Sequence, residues 1–279
     1  MLNIHPKVRK KGKDILVALA ITLILLIVIF PVLMLFLTSI KSQVDAFRYP
    51  PKWVFKPVLS NYREIFSNWP FERYLVNSLL VASSSTLLAV VVGSMAAYSL
   101  ARFRAKRSKD LAFWILSIRM TPPIAAIIPI FILLRNLGLL DTRLGLFITY
   151  STLNLPFAVW LLRGFFMEIP VEIEESAMVD GCSRYRLFWQ ICLPLIAPGL
   201  ATTAIFCFIF SWNEFLFALI LTATKAQTMP VAVTGFIRET GIMWGHMAAA
   251  GIVIMLPMVL FTIALQKNLV RGLTMGAIK

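Results

Sequence analysis

Charge is scarce in this chain. Only 14% of its 279 residues are Asp, Glu, Lys or Arg, against about 25% in soluble domains. Acidic residues are the scarcer sign: 13 Asp and Glu stand against 27 Lys and Arg, a formal net charge of +14. Cysteine is nearly missing. Cys182, Cys192 and Cys207 have no metal-ligand or redox spacing, so all three read as reduced, small apolar residues. No Gly-x-x-x-x-Gly-Lys-Ser/Thr phosphate loop occurs, so the chain is not expected to hydrolyse ATP by itself. His5 and His246 are too far apart in topology to share a metal, and Ser83-Ser84-Ser85-Thr86 reads as close helix packing rather than a nucleophile. No acid–base set converges, so neither catalysis nor a cofactor or metal in this chain is expected.

What remains is apolar. Hydrophobic residues make up 59% of the chain, and they fall in uninterrupted runs of the roughly 20 residues that cross a bilayer. In lipid every backbone polar group must pair internally, so these runs are expected as helices. They are continuous rather than alternating, which argues against a transmembrane barrel. The basic excess gathers at the ends of the runs, where lipid headgroups and the positive-inside rule place it. Membrane lipid, and not nucleic acid, is its expected partner.

The fold class expected is therefore all-α: a polytopic membrane protein with six transmembrane helices, at about 15–37, 74–101, 111–134, 144–162, 197–222 and 247–266, within a domain of 15–268. The first run follows Lys7, Arg9, Lys10, Lys11 and Lys13. It is longer than the apolar core of a signal peptide and lacks a small-residue cleavage site, so it reads as a retained helix. Residues 38–73 read as an outside loop with interfacial helix, with Trp53, Phe55, Tyr62, Phe66 and Trp69 suited to the membrane surface. The third run is interrupted by Arg119 and Thr121-Pro122-Pro123, and the fourth by Asn154-Leu155-Pro156. The two densest basic clusters, Lys7 to Lys13 and Arg102 to Lys109, put both termini inside the cell. Segment 1–14, the loop 168–194 between the fourth and fifth spans, and the tail 269–279 are then cytoplasmic, in a bacterial inner membrane.

That loop is the most informative stretch. Pro170 suits a helix start. Glu172, Glu174 and Glu175 fall in the first turns, where the helix dipole favours anions. Gly181 is placed to end the helix in a left-handed conformation. A second short amphipathic run, Tyr185–Cys192, carries Leu187, Phe188 and Ile191, and Pro194 stops it. Two short helices joined by a tight turn at the membrane surface would make a rigid knob for a soluble partner, or an ordinary interfacial hairpin.

Here the chain resembles a known family. Glu175-Ser176-Ala177, then Gly181, Ile191, Leu193 and Pro194 reproduce the spacing of the Glu-Ala-Ala loop of permease subunits of binding-protein-dependent ABC importers. Ser176 stands where that pattern has alanine. Asn77-Ser78, Trp212-Asn213-Glu214-Phe215 and the tail Gly272–Lys279 are similar to carbohydrate-type permeases of the maltose system's smaller subunit, and Arg119 to Pro123 looks more like polyol permeases. The resemblance implies as partners a homologous second permease, two ATP-binding subunits that carry ATP and magnesium, an extracytoplasmic solute-binding protein, and a carbohydrate or polyol substrate. It implies that the loop sits in a groove of an ATPase subunit, that Glu175 pairs with an arginine there, and that Asp180 and Gly181 shape the docking turn. The tail would reach toward the ATPase dimer interface.

Polar groups deep in a membrane protein face a cavity or a partner helix. Arg119, Asn154, Asn213 and Glu214 occupy such depths, with Trp212 available for an apolar sugar face, and form the candidate substrate pathway. Their competing role is to link helices, including through an Arg119–Glu214 pair. The resemblance implies that the second permease makes most substrate contacts. Two other functions compete with ATP-driven import. An ion-coupled secondary transporter would need inverted repeats and several intramembrane acids, of which only Glu214 qualifies. A membrane-embedded enzyme would need a convergent acid–base set.

Overall fold

The computed structural model describes residues 6–103, 108–239 and 241–274, with side chains at 14, 16–103, 110–239 and 241–264. Helices α1 (Pro6–Ser39), α2 (Gln43–Phe47), α3 (Ser60–Ser67), α4 (Phe71–Arg102), α5 (Ser108–Arg119), α6 (Pro123–Asn136) and α7 (Arg143–Glu168) make up the first part. Then come α8 (Val171–Val179), α9 (Arg184–Leu187), a π-helical turn at Phe188–Cys192, α10 (Leu193–Leu195), α11 (Ala197–Trp212), α12 (Leu216–Leu221), α13 (Met229–Ala232) and, at the end, α14 (Trp244–Thr274). A small antiparallel ladder interrupts the helices. Its strands β1 (Ile237–Arg238) and β2 (Gly241–Ile242) pair Ile237 with Ile242, and Gly241 takes φ +121°.

Among the described residues four helices are long and apolar enough to cross a bilayer: Leu16–Ser39, Phe71–Arg102, Arg143–Glu168 and Trp244–Ala264. Two bent pairs, Asp110–Arg119 with Pro123–Asn136 at 88° and Arg184–Leu195 with Ala197–Trp212 at 77°, would bring the number to six if each is one span. The third run, expected to be interrupted at Thr121-Pro122-Pro123, is broken there in its middle. Pro122 disfavours helical backbone at Thr121, and Pro123 then opens α6. The run expected to continue to 222 also divides, because α11 stops at Trp212 and α12 starts at Leu216. By contrast α7 runs unbroken through Pro156. One missing N–H is tolerated where neighbouring helices support the backbone.

The chain packs as two compact units. The described residues of Met1–Trp69 and Phe236–Val253 form one. There Asn61, buried, donates to the carbonyls of Ser39 and Lys41, both at 2.8 Å. The Tyr62 hydroxyl lies 2.7 Å from Ser39 Oγ, and His246 Nε2 lies 2.8 Å from Glu64 Oε2 with its ring beside Trp69 and Phe236.

Pro70–Gly235 and Ile254–Lys279 form the second unit, whose centre is α4 laid along α7. The contact is made by small residues. Ala82, Ser85, Ala89, Gly93 and Ala97 of α4 are buried at helical spacing. A Cβ on Gly93 would lie 2.9 Å from the Ala158 Cβ, so the helices touch backbone to backbone. Ser85 Oγ meets Ser211 Oγ of α11 at 3.0 Å. One apolar cluster gathers Val81, Ile127, Leu146, Tyr150 and Phe217. Another, at the far end of α4, gathers Ala97, Leu162, Phe166, Leu187, Phe188 and Cys192.

Candidate functional site

Two places in the second unit carry the residues singled out by sequence. The first is the knob of α8 and α9. Pro170 precedes the first residue of α8, and Glu172 and Glu174 lie in its first turn. The helix closes on a Schellman turn: Gly181 takes φ +84°, its N–H donates to the Met178 carbonyl at 3.1 Å, and the Cys182 N–H donates to that of Ala177 at 3.0 Å. Ser183 then caps α9 by accepting from the Arg186 N–H.

The structure sorts the signature residues by side. Ala177, Ile191 and Leu193 pack inward on the cluster of Leu187, Phe188 and Cys192. Glu175, Ser176, Asp180, Gly181 and Pro194 face outward. Val179 at 87% and Tyr185 at 74% exposure add apolar surface to the same knob. Ala177 sits under the knob, packed on that cluster. Position 176 faces outward, so the serine there costs no packing.

Sequence reasoning passed over the neighbouring acid. Glu174 is only 4% exposed. Its Oε1 takes an ion pair from Arg102 Nε, and its Oε2 accepts the Tyr98 hydroxyl at 2.9 Å. Arg102 Nη2 also donates to the Ile169 carbonyl at 2.8 Å. The signal was helix phase: on α8 residues three apart share a face, so the face that buries Ala177 also buries Glu174 and turns Glu175 away.

The second place is a cavity of about 540 Å³ between α5, α6, α7, α11 and α12. Arg119, Asn154, Asn213 and Glu214 all line it. The Arg119 guanidinium stands 4.3 Å from the Phe210 ring centroid and 4.9 Å from that of Phe157, and Nη1 donates to the Leu153 carbonyl at 3.2 Å. Among the described residues it makes no ion pair with Glu214. Glu214 Oε1 instead accepts the Phe217 N–H at 3.0 Å, in the first turn of α12. Asn154 is buried and donates to Ser211 Oγ at 2.7 Å and to the Cys207 carbonyl at 3.2 Å, so it links α7 to α11 as well as lining the space. Asn213 Nδ2 is spent on the Ile209 carbonyl at 2.9 Å. Trp212 does not line the cavity. It is 1% exposed, stacked on Phe208. Pro156 removes the N–H that Thr152 would meet in a continuous helix, and Thr152 lines the cavity.

The end of this unit away from the knob is tied by α4. Asn77 donates to the carbonyls of Lys225 at 3.0 Å and Gln227 at 2.8 Å, and accepts from Arg143 Nε at 2.7 Å. Asp141, at φ +54°, accepts N–H groups from Ala223, Thr224, Lys225 and Ala226. Burial pushes its carboxyl up, but the N–H groups of Ala226, Ala223, Lys225 and Thr224 outweigh that and hold its pKa at about 2.

Residues 89–275 match the family model described as "Binding-protein-dependent transport system inner membrane component". The chain is 40% identical over 251 residues to a probable ABC transporter permease protein y4oR of Sinorhizobium fredii, covering 90% of each. It is 41% identical over 263 residues to the trehalose transport system permease protein SugB of Mycobacterium tuberculosis, covering 92% of this chain and 95% of that one. In fold it is similar to a chain of a bacterial ABC transporter that imports the acidic polysaccharide alginate. The TM-score is 0.75 at 24% identity, over 96% of this chain and 99% of that one.

Proposed function

Because the chain belongs to the family of binding-protein-dependent transport system inner membrane components, we propose that it forms one half of a carbohydrate pathway that ATPase subunits drive through the α8–α9 knob. It is a multi-pass inner-membrane permease subunit of an ABC importer. Its substrate is a sugar, oligosaccharide or polyol, a reading supported by the trehalose, trehalose/maltose and melibiose permeases among its relatives. The family match lends no support to an ion-coupled mechanism.

The observation that carries the coupling role is the sidedness of the knob. Its inward residues anchor it to the transmembrane helices, and its outward ones offer a carboxylate, a second acid and an apolar tip. Glu175 pairs with an arginine of the ATPase subunit, while Asp180 and the left-handed Gly181 set the turn that enters the groove. ATP closes two such subunits, and their motion swings this chain and a second permease from inward-open to outward-open, where a solute-binding protein delivers cargo. Six spans cross the membrane, the two bent pairs counting as one each, and both termini are cytoplasmic. Hydrolysis belongs to the ATP-binding subunits.

The cavity supplies the solute-facing half. Arg119 offers N–H donors to hydroxyls, Phe210 and Phe157 hold its guanidinium flat, and Glu214 has a second carboxylate oxygen for a hydroxyl donor. Trp212, buried behind Phe208, supports this wall without touching solute.

The decisive experiment replaces Glu175 by Lys and Gly181 by Asp in the assembled importer. Uptake of labelled carbohydrate is lost and ATPase subunits co-purify poorly, while the permease still inserts. Normal uptake in both variants would sink the coupling role.

A further inference from the structure

Glu174 sits one residue from the outward Glu175 and does the opposite. Both of its carboxylate oxygens are engaged from α4, Oε1 by Arg102 and Oε2 by Tyr98. Arg102 also holds the Ile169 carbonyl, just before α8 begins. The Tyr98 ring lies 5.3 Å from Phe166 and 5.2 Å from Phe188. The last turn of α4 thus grips the knob from both of its helical sides.

A buried ion pair is weak as a stabiliser, because desolvation cancels most of its attraction and apolar residues can often replace it. What it supplies is fixed geometry, since an arginine with two directed bonds and a tyrosine on the remaining oxygen leave the carboxylate no other orientation. An apolar contact lets a short helix slide, and this one does not. The grip also has a far end. Asn77 lies on the same helix, and 25 residues at about 1.5 Å put it about 38 Å from Arg102. There it holds the carbonyls of Lys225 and Gln227.

We propose that Glu174 is a positioning residue that locks the docking knob to α4 through Arg102 and Tyr98, so that displacement of the knob is carried along α4 to the 225–227 loop. The proposal rests on the docking role of α8. Glu175 meets the ATPase, and Glu174 transmits what Glu175 receives. Loss of the lock uncouples hydrolysis from transport without releasing the ATPase.

The test uses the full importer in lipid nanodiscs, with Glu174→Gln, Tyr98→Phe and Arg102→Lys as separate variants. Each is read for ATPase co-purification and for substrate moved per ATP hydrolysed. Glu174→Gln is expected to keep its ATPase subunits and lose at least about ten-fold in substrate per ATP, within the range of coupling free energies between sites. Arg102→Lys keeps the charge and loses the second bond, so it falls between Glu174→Gln and wild type. Spin labels at Val179 and Met95, both exposed, report the lock directly. Their separation stays single-valued with and without ATP in the wild type and broadens in Glu174→Gln. An unchanged substrate-to-ATP ratio in Glu174→Gln overturns the proposal. So does ATPase loss in that variant with the ratio intact, which is the mark of a merely structural pair. Failure of the docking role itself would show instead as Glu175→Lys retaining normal ATPase association.

Discussion

The carboxylate of Asp141 accepts the backbone N–H of Ala226 at 3.0 Å, across 85 positions of sequence. Three consecutive neighbours of Ala226 donate to the same group. The loop after α6 is therefore fastened to the loop after α12 by a single side chain in a left-handed backbone conformation.

That arrangement has a pH signature. The carboxyl drops from 3.8 in the unfolded reference to about 2 when folded. Its contribution is fully present above about pH 4 and is lost as pH falls through 2. Asp141→Asn should lower unfolding stability at neutral pH, and the gap to wild type should close as pH drops from 5 toward 2. A gap that stays constant over that range would show that the charge is irrelevant to the loop.

Gly93 should tolerate nothing larger than hydrogen. Its missing Cβ would already press on Ala158. Gly93→Leu forces α4 and α7 apart and is expected to cost about 1–3 kcal/mol of stability, seen as an earlier detergent unfolding transition. Gly164 has open space around it, and Gly164→Ala serves as the control that should leave the transition in place.

Arg119 and Asn154 line one cavity and should fail differently. Arg119→Leu removes the donors that face the cavity, so the importer assembles normally while uptake drops and the range of accepted sugars and polyols shifts. Asn154→Ala breaks a buried link between α7 and α11 and should lower stability by about 1–2 kcal/mol. Asn213→Ala, whose amide is already occupied by its own helix, should do less than either. Full uptake with Arg119→Leu would remove that residue from the solute path.

Orientation can be read with a membrane-impermeant maleimide on a Cys182→Ser background. Tyr49→Cys, at a 93% exposed position, should label in intact cells. Val179→Cys should label only after the membrane is opened. The reverse pattern would turn the chain over.

How much of this was legible in the sequence depends on the range of the forces involved. Gly181 was readable because a helix end needs a left-handed residue within one turn, and φ +84° is where it stands. The approach of Arg119, Asn154, Asn213 and Glu214 to one cavity followed from cost: a polar group in an apolar run has to face something polar. Trp212 shows the limit of that logic. One helical step of about 100° separates it from Asn213, enough to turn it into the Phe208 stack. The interruption at Thr121-Pro122-Pro123 was readable from its prolines, but its 88° angle was not, and the break between Trp212 and Leu216 lay in a run that hydropathy reads as continuous. Helix phase could show that Glu174 is buried, but its partners and those of Asp141 were not legible, since they arrive from 72 and 85 residues away.

The 88° bend between α5 and α6 reaches back to the moment of synthesis. Its halves are 12 and 14 residues long, and a straight helix needs about 20 to cross the hydrocarbon. Neither half can leave the insertion machinery as an independent rod. Among the described residues α5 packs on α7 and α4, and α6 packs on α12, so both halves lean on helices that come later in the chain. The bent pair therefore spans as one unit whose two halves depend on helices that follow it in the chain.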